Sequence, residues 1–192
     1  MLGDDVVDLG DPEAAPGASH PRFDARVFAA PERAWIAASR APALARWSLW
    51  AAKEAAYKRA RRLDPAVRFH PRRFAVELDC EGRRGRVRGP GGAARVRLER
   101  AGGAVHAVAF GSPEEEERIA RGFAALAAGA DPSLGARALA IDAVAGRLGE
   151  RPEALRIERS GRVPALRLPD GRALALSLSH HGRFVAFAGR LA

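Results

Sequence analysis

The sequence is almost without cysteine. Cys80 is the only one among 192 residues, which excludes a framework of intramolecular disulfides and is typical of proteins in a reducing compartment. The sequence also lacks any apolar run long enough to span a membrane. Its first residues, MLGDDVVDLG, are acidic where a secretory signal peptide would be basic. We therefore expect a cytoplasmic protein that has no contact with a membrane.

Large side chains are also scarce. Hydrophobic residues make up 47% of the chain but aromatic residues only 6%, and alanine supplies much of the hydrophobic fraction. Because alanine fills little volume, the core must depend on phenylalanine, leucine, valine and the three tryptophans. A chain of this length is expected to form one globular domain, or two small halves that share a core.

Acidic residues are outnumbered by basic ones, 23 to 32, which gives a formal charge of +9. Such a charge favours polyanions, phosphorylated ligands or an acidic protein partner. The segment EGRRGRVRGPGGAAR could suggest RNA binding, but it lacks the interleaved aromatic residues on which bases stack. A hairpin with a flexible turn is the simpler interpretation, and nucleic-acid binding is the less favoured one.

The order of predicted elements indicates two similar halves. A strand over VVDL precedes a helix near Pro31 and a longer helix from Ala43 through Arg61, and strand-like pieces with Gly-rich turns then run from Arg73 to Phe110. Helix is predicted again over SPEEEERIARGFAALAAG and ARALAIDAVAGRLG, and four strands follow. We predict an α+β fold whose two α/β halves, residues 1–111 and 112–192, each pack a helix on a small, mostly antiparallel sheet.

The helix SLWAAKEAAYKRARR carries charges among its alanines. Helical spacing places Trp50, Glu54 and Lys58 on one side, together with Arg61, whereas Lys53 lies on a neighbouring flank. On spacing alone, an ordinary ion pair between Glu54 and Lys58 is the favoured interpretation. The alternative is that these charges face a ligand.

The short strand GDDVVDL places acidic residues on both of its faces. Strand alternation sets Asp5 and Val7 on one face and Asp4 and Asp8 on the other. A carboxylate here can hold a hard cation beside a phosphate, because Mg²⁺ binds one or two carboxylates and completes its shell with water and phosphate oxygens. The alternative is that Asp4 and Asp8 are solvated and Asp5 caps a turn.

The segment LALSLSHHGRFVAFA is typical of a half-buried strand with a returning partner. Ser179 and His180 are expected at the strand end, where a hydroxyl and an imidazole can donate to a phosphate. They do not form a hydrolase pair, because the G-x-S-x-G elbow is missing and adjacent strand residues point to opposite faces.

Taken together, the motifs resemble those of the 4′-phosphopantetheinyl transferase superfamily. GDDVVDL resembles the family's G-x-D strand, WAAKEAAYK its W-x-x-K-E-A-x-x-K helix, and SLSH its S-x-S-H strand. HPRRFAVEL, after the helix, is similar to the strand that follows in the family. The resemblance implies a pseudo-dimer with coenzyme A in the cleft between the halves. It further implies transfer of the phosphopantetheine arm from coenzyme A to a serine of an apo acyl or peptidyl carrier protein.

The resemblance also implies roles for individual residues. Asp5 and Glu54 would bind Mg²⁺, with Mn²⁺ as an alternative, and Glu54, Lys58 and Asp5 would form the catalytic group. The implied contacts to coenzyme A come from Lys53, Lys58, Ser179, His180 and, in GRVP, Arg162. Carrier proteins are typically acidic, which suits the basic chain. Two halves in one chain favour a monomer, and no nucleic-acid partner is expected.

The sequence departs from the family in two places. Many larger members carry a further acidic ligand where this chain has Val7, although the small trimeric synthases lack that acid as well. The half with the S-x-S-H strand comes last here, whereas larger members usually carry it first, so the halves resemble a circular permutation. A relative that binds coenzyme A or a carrier without catalysing transfer therefore remains an alternative.

Overall fold

The structure is a computed structural model that describes residues 1–15, 17–18, 20–160 and 163–191. Two five-stranded antiparallel sheets organise it. The strands of the first sheet are β1 (Gly3–Asp8), β2 (Ala75–Leu78), β3 (Arg84–Gly89), β4 (Gly92–Ala101) and β5 (Ala104–Phe110). Those of the second are β6 (Ile119–Ala125), β7 (Arg156–Ser160), β8 (Val163–Arg167), β9 (Ala173–His181) and β10 (Phe184–Arg190). The first sheet has the order β1-β5-β4-β3-β2, and the second has the order β6-β10-β9-β8-β7.

The first sheet is covered on one face by a long helix. The helices before it are α1 (Phe23–Val27) and α2 (Ala30–Ala38), and the covering helix is α3 (Pro42–Leu63). Pro42 starts α3, where a missing N–H costs no hydrogen bond. Ala51, Ala52 and Ala55 are fully buried, so the small side chains let α3 lie close to the sheet. This packing forms the larger core, with Phe28, Phe74 and Leu98.

The second sheet repeats this plan with α5 (Pro132–Leu148). The Asp131 side chain accepts from the Leu134 N–H, and Gly149 ends the helix with a φ of 68°. These are a good N-cap and the left-handed C-cap that glycine adopts without strain. The core beneath α5 contains Leu166, Leu176 and Phe187. The predicted α+β fold, with a helix on an antiparallel sheet in each of two halves, is confirmed.

The predicted helix after Ser112 is wrong. Only α4 (Pro113–Glu117), a little over one turn, is helical, and the chain then forms β6. The alanines and glutamates of this segment favour helix locally, but Ile119 and Ala120 are buried and β6 pairs along its whole length with β10. Pairing with β10 therefore overrides local propensity.

Strand β1 joins the two halves. Its odd-numbered residues face α3, and Val7 belongs to the core beneath that helix. Its even-numbered residues face the second sheet, where Val6 packs with Phe184 and Ala186. Beside these residues, a small apolar cluster that includes Leu2, Val108 and Ile119 adds to the contact between the two halves. The alternation predicted for GDDVVDL is therefore confirmed.

Candidate active site

Gly3 lets β1 lie directly on α3. A Cβ atom at Gly3 would overlap the Ala55 carbonyl oxygen and would lie 2.6 Å from the Arg59 nitrogen. Glycine is thus required here for a close approach of two backbones. Asp5, two residues further along the same strand face, is thereby brought to the helix face that carries Glu54 and Lys58.

Lys58 links the helix to the strand. Its Nζ donates to Asp5 Oδ1 and to the Asp4 carbonyl oxygen, each at 2.8 Å. Although burial alone would lower the pKa of Lys58, the charges of Asp5, Asp4 and Glu54 outweigh it and raise that pKa. Among the described residues, the carboxylate in ion-pair distance of Lys58 is Asp5, so spacing on the helix did not identify the partner.

Glu54 and Asp5 are partly buried carboxyl groups whose pKa values are raised. Burial, and then the charge of Asp5, raise the pKa of Glu54 to about 7, while Lys58 lowers it in part. Burial also raises the pKa of Asp5, against the effect of Lys58. Of these two partly buried carboxyl groups, Asp5 is paired with Lys58, whereas Glu54 has no ion pair among the described residues.

The donor set of this pair fits a magnesium ion. Asp5 and Glu54 offer carboxylate oxygens, which Mg²⁺ prefers, and it commonly takes only one or two of them. A divalent cation bound by both groups would favour their ionised forms. Val7 is buried in the core and offers no ligand, so the remaining positions would fall to water and substrate oxygens.

Elsewhere in the described part of the chain, one group of three potential ligands meets, formed by Asp11, Glu13 and His181. The Asp8 N–H donates to His181 Nδ1 at 3.2 Å, so a neutral His181 carries its proton on Nε2. Neither ring nitrogen is then free to bind a metal. This group does not include the predicted ligands Asp5 and Glu54.

A basic cavity opens beside Lys58, between the two halves. Its volume is about 640 Å³, and it is lined on one side by α3 and on the other by β8 and β9. Lys58, Arg61 and Arg62 supply positive charge, whereas Val163, Pro164 and Leu178 supply apolar walls. The ladder between β8 and β9 reaches only Ala175 on β9, so the cavity lies where the two strands have separated.

An aromatic cavity of about 670 Å³ lies towards the other end of α3. Phe23, Trp47 and Trp50 line it, with His20 and His181. Trp50 precedes Glu54 by one helical turn and Lys58 follows Glu54 by one turn, so the two cavities flank the cluster of Asp5, Glu54 and Lys58 along the helix axis.

Ser179 is held by β1. Its Oγ donates to Asp4 Oδ2 at 2.7 Å, and Ser177 Oγ accepts from the Asp4 N–H at 3.1 Å. His106 Nε2, 3.2 Å from the same Asp4 oxygen, completes the group. Asp4 and Asp8 are buried, which corrects the alternative that they are solvated. Ser179 therefore faces the joint between the halves, and its predicted contact to a phosphate stays a prediction.

The other predicted contacts to coenzyme A are dispersed. His180 is exposed, on the face of β9 opposite to Ser179. Arg162 lies outside the described residues. Lys53 is fully buried, and its Nζ donates to both oxygens of Glu32 and to the carbonyls of Pro71 and Phe74. Its donors are used inside the protein, so a contact of Lys53 to the cofactor stays a prediction that these hydrogen bonds do not favour.

The model of a protein family described as the 4′-phosphopantetheinyl transferase superfamily matches residues 1–109, more than half of the chain. The protein belongs to this superfamily. Membership indicates a transferase of the phosphopantetheinyl type, a class that acts on carrier proteins with coenzyme A. A search of curated proteins found no match. In the described residues, no helix combines the length and the apolar character needed to cross a membrane.

The match ends before the second half, but the structure relates the two halves. In this transferase Lys58 Nζ donates to the carbonyl of Asp4 on β1, and Arg147 NH1 donates to the carbonyl of Ile119 on β6 at 3.1 Å. Because β1 and β6 occupy the same position in their sheets, Arg147 corresponds to Lys58.

This correspondence locates a second, altered cleft. One turn before Arg147 stands Ala143, where α3 has Glu54, and Ala120 follows Ile119 where β1 has Asp5. The cavity there is smaller, about 300 Å³, and a pair formed by Arg121 Nε and Glu99 Oε1 at 2.7 Å bridges the halves. The second cleft therefore has no counterparts of the Asp5 and Glu54 carboxylates. Among the described residues, a pair of candidate metal ligands between a long helix and the edge strand of its sheet occurs only in the first half.

Three residues of the site were not predicted from the sequence. In the sequence, His106 stands among alanines and valines. Arg183, which holds Asp8 with Nε at 2.8 Å from Oδ2, lies in a turn. Glu32, the partner of Lys53, belongs to a helix of ordinary composition. The one available signal was Asp4 itself, because an acidic residue that alternates with Val6 on one strand face needs a buried partner.

Proposed function

We propose that the protein transfers the 4′-phosphopantetheine group from coenzyme A to a serine hydroxyl of an apo acyl or peptidyl carrier protein, with Mg²⁺ as cofactor. The observation that carries the proposal is the cluster of Asp5, Glu54 and Lys58 beside a basic cavity between the halves. We further propose that residues 1–111 and 112–192 form this one cleft within a monomer.

The basic cavity suits coenzyme A. Lys58 and Arg61 offer charge for the pyrophosphate and the 3′-phosphate, and Val163, Pro164 and Leu178 offer apolar walls for the adenosine. His180 follows Leu178 by two residues on the same strand face, so it is a further candidate for the phosphates. Arg162 directly precedes Val163 and is proposed for the same role.

The chemistry is an in-line displacement at the phosphorus that bears the pantetheine arm. The serine oxygen forms the new P–O bond, and the bond to the leaving adenosine 3′,5′-bisphosphate breaks. Lys58 neutralises charge on the phosphate oxygens. Mg²⁺ bound by Asp5 and Glu54 would add positive charge at the same oxygens. Glu54, or a water that it orients, accepts the serine proton.

The aromatic cavity suits the acceptor. In-line attack requires the nucleophile to approach from the side opposite to the leaving group. If the nucleotide occupies the basic cavity at one end of the cluster, the serine must arrive from the end lined by Phe23, Trp47 and Trp50. The positive charge of the whole chain would attract an acidic carrier protein.

The test is incubation with coenzyme A, MgCl₂ and apo carrier proteins from fatty-acid, polyketide and peptide synthesis, followed by intact-mass measurement of each carrier. We expect a carrier to gain one phosphopantetheine. Glu54→Gln should abolish the gain while its circular dichroism stays native, and Glu150→Gln, an exposed site outside the cleft, is the matched control.

Two results would contradict the proposal. Absence of a mass gain with every carrier, together with no binding of coenzyme A in calorimetry, would exclude the proposed activity. Unchanged transfer by Glu54→Gln would exclude the proposed role of Glu54 while leaving the activity in place.

A further inference from the structure

Asp4 is a charged side chain enclosed between the two halves. None of its surface is exposed. Ser179 Oγ donates to Asp4 Oδ2 at 2.7 Å, and His106 Nε2 lies 3.2 Å from the same oxygen. Asp4 is therefore a buried carboxyl group held by side chains from both halves.

The contacts of Asp4 connect the second half to the reacting group. Its side chain accepts from Ser179, and its N–H donates to Ser177, both on β9. Its carbonyl oxygen accepts from Lys58 Nζ, which also holds Asp5 Oδ1. Asp4 therefore contacts both β9 and Lys58, which is itself paired with Asp5.

A carboxyl group is costly to bury at this position unless hydrogen bonds compensate it. Val6, the next residue on the same strand face, is buried among apolar side chains. A valine at position 4 would fill the joint without the cost of removing a carboxylate from water. Two serine hydroxyls and an imidazole are instead directed at β1, which gives the joint a fixed register that apolar contacts lack.

We propose that Asp4 is a positioning residue that fastens β1 to β9 and thereby fixes Asp5 and Lys58 for the transfer reaction. The Ser179 hydroxyl is used for this fastening and does not bind the phosphates of coenzyme A. The inference rests on the proposed function, because the reaction that is positioned is phosphopantetheine transfer.

The test compares Ser179→Ala, Asp4→Asn and a control in the full chain. Ser48→Ala is the matched control, since Ser48 is also fully buried and its Oγ accepts from a charged group, Arg100, within the first half. Three quantities are measured: kcat for transfer to a carrier that the wild type modifies, the Kd of coenzyme A by calorimetry, and hydrogen exchange of the Asp4 and Asp8 amides, which donate to β9 side chains.

We expect Ser179→Ala to lower kcat at least about tenfold and to speed exchange at the Asp4 amide by a similar factor, because a hydrogen bond to a charged group is lost. The Kd of coenzyme A should stay within about twofold. Asp4→Asn keeps the shape of the side chain and should also lower kcat and speed exchange at position 4. It replaces Ser179→Ala in the test if that variant does not fold. Ser48→Ala should leave kcat and amide exchange unchanged.

The opposite pattern would overturn the inference. A tenfold weaker binding of coenzyme A by Ser179→Ala, with unchanged exchange at Asp4, would show that Ser179 is a phosphate contact. Unchanged kcat in both variants of a wild type that transfers phosphopantetheine would exclude the positioning role alone. A wild type that transfers nothing would overturn both this inference and the proposed function.

Discussion

Lys58 is paired with Asp5 across the contact between α3 and β1, with Nζ 2.8 Å from Oδ1. The pair joins the two elements that carry the candidate metal ligands, and it leaves the Glu54 carboxyl without that compensation. The same Nζ lines the basic cavity. Lys58 is therefore placed to hold the site together and to meet a phosphate.

The first prediction concerns Lys58. Lys58→Met keeps most of the length of the side chain but removes the charge that stabilises the phosphate oxygens, so kcat/KM for coenzyme A should fall about 10²- to 10³-fold. Arg61→Gln, which removes a charge from the outer part of the cavity, should raise KM with a smaller effect on kcat. Steady-state transfer to one carrier measures both. A Lys58→Met enzyme within threefold of the wild type would contradict the proposed role.

The second prediction concerns pH. The pKa of Glu54 is raised from 4.5 to about 7 in the folded protein, so between these values the native state binds more protons than the unfolded state. Without Mg²⁺, the free energy of unfolding should therefore fall as pH rises from 5 to 8, and Glu54 should account for about 1–3 kcal/mol of the fall.

Urea unfolding at several pH values measures this slope. Glu54→Gln should flatten the profile relative to the wild type, because the glutamine does not titrate. Millimolar Mg²⁺ should reduce the fall in the wild type alone, since a bound cation favours the ionised carboxyl. Identical profiles for wild type and Glu54→Gln would show that Glu54 titrates normally.

The sequence was sufficient for features that depend on local pattern. The period of α3, the alternation of β1 and the glycine turns of the first sheet predicted the elements that bring Asp5, Glu54 and Lys58 together. The partner of Lys58 could not be predicted, because spacing along a helix shows only neighbours on that helix, whereas Asp5 is 53 residues away.

The features that were missed depend on distant contacts. Asp4 meets His106 and Ser179 across 102 and 175 residues, and no local pattern encodes such pairs. Strand β6 was predicted as helix because its alanines favour helix until β10 pairs with it. The cofactor contact of Lys53 is implied by the family motif, and the motif gives no sign that Glu32 and two carbonyls hold this side chain inside the protein.

The third prediction concerns the buried ion pair of Lys53 and Glu32, in which Lys53 Nζ lies 2.7 Å from Glu32 Oε1. Lys53→Met should lower the free energy of unfolding by about 3–5 kcal/mol, because it leaves Glu32 buried without its cation. The double variant with Glu32→Met should lose at least about 1 kcal/mol less than the sum of the single losses. Urea unfolding of the four proteins measures the coupling.

Coenzyme A binding distinguishes this structural role from the one that the family resemblance implies. At a temperature where Lys53→Met is folded, its Kd for coenzyme A should stay within about twofold of the wild type. A tenfold weaker Kd would place Lys53 at the cofactor after all.

The fourth prediction concerns Gly3, where the backbones of β1 and α3 meet. Gly3→Ala forces the new methyl group against the Ala55 carbonyl and the Arg59 nitrogen, and backbone atoms cannot move aside as a side-chain end can. The strand must therefore shift away from the helix, which should cost about 1–3 kcal/mol of stability. Because the same shift separates Asp5 from Lys58, kcat should fall more than tenfold even at temperatures where the variant is fully folded.

Gly146→Ala is the control, since a Cβ there meets no atom within 4 Å, and alanine in the α5 interior should stabilise the protein by about 0.5–1 kcal/mol. Thermal unfolding and steady-state transfer of the two variants separate the effect of the contact between β1 and α3 from the general effect of replacing a glycine. Native activity in Gly3→Ala would show that the spacing of β1 and α3 does not set the geometry of the site.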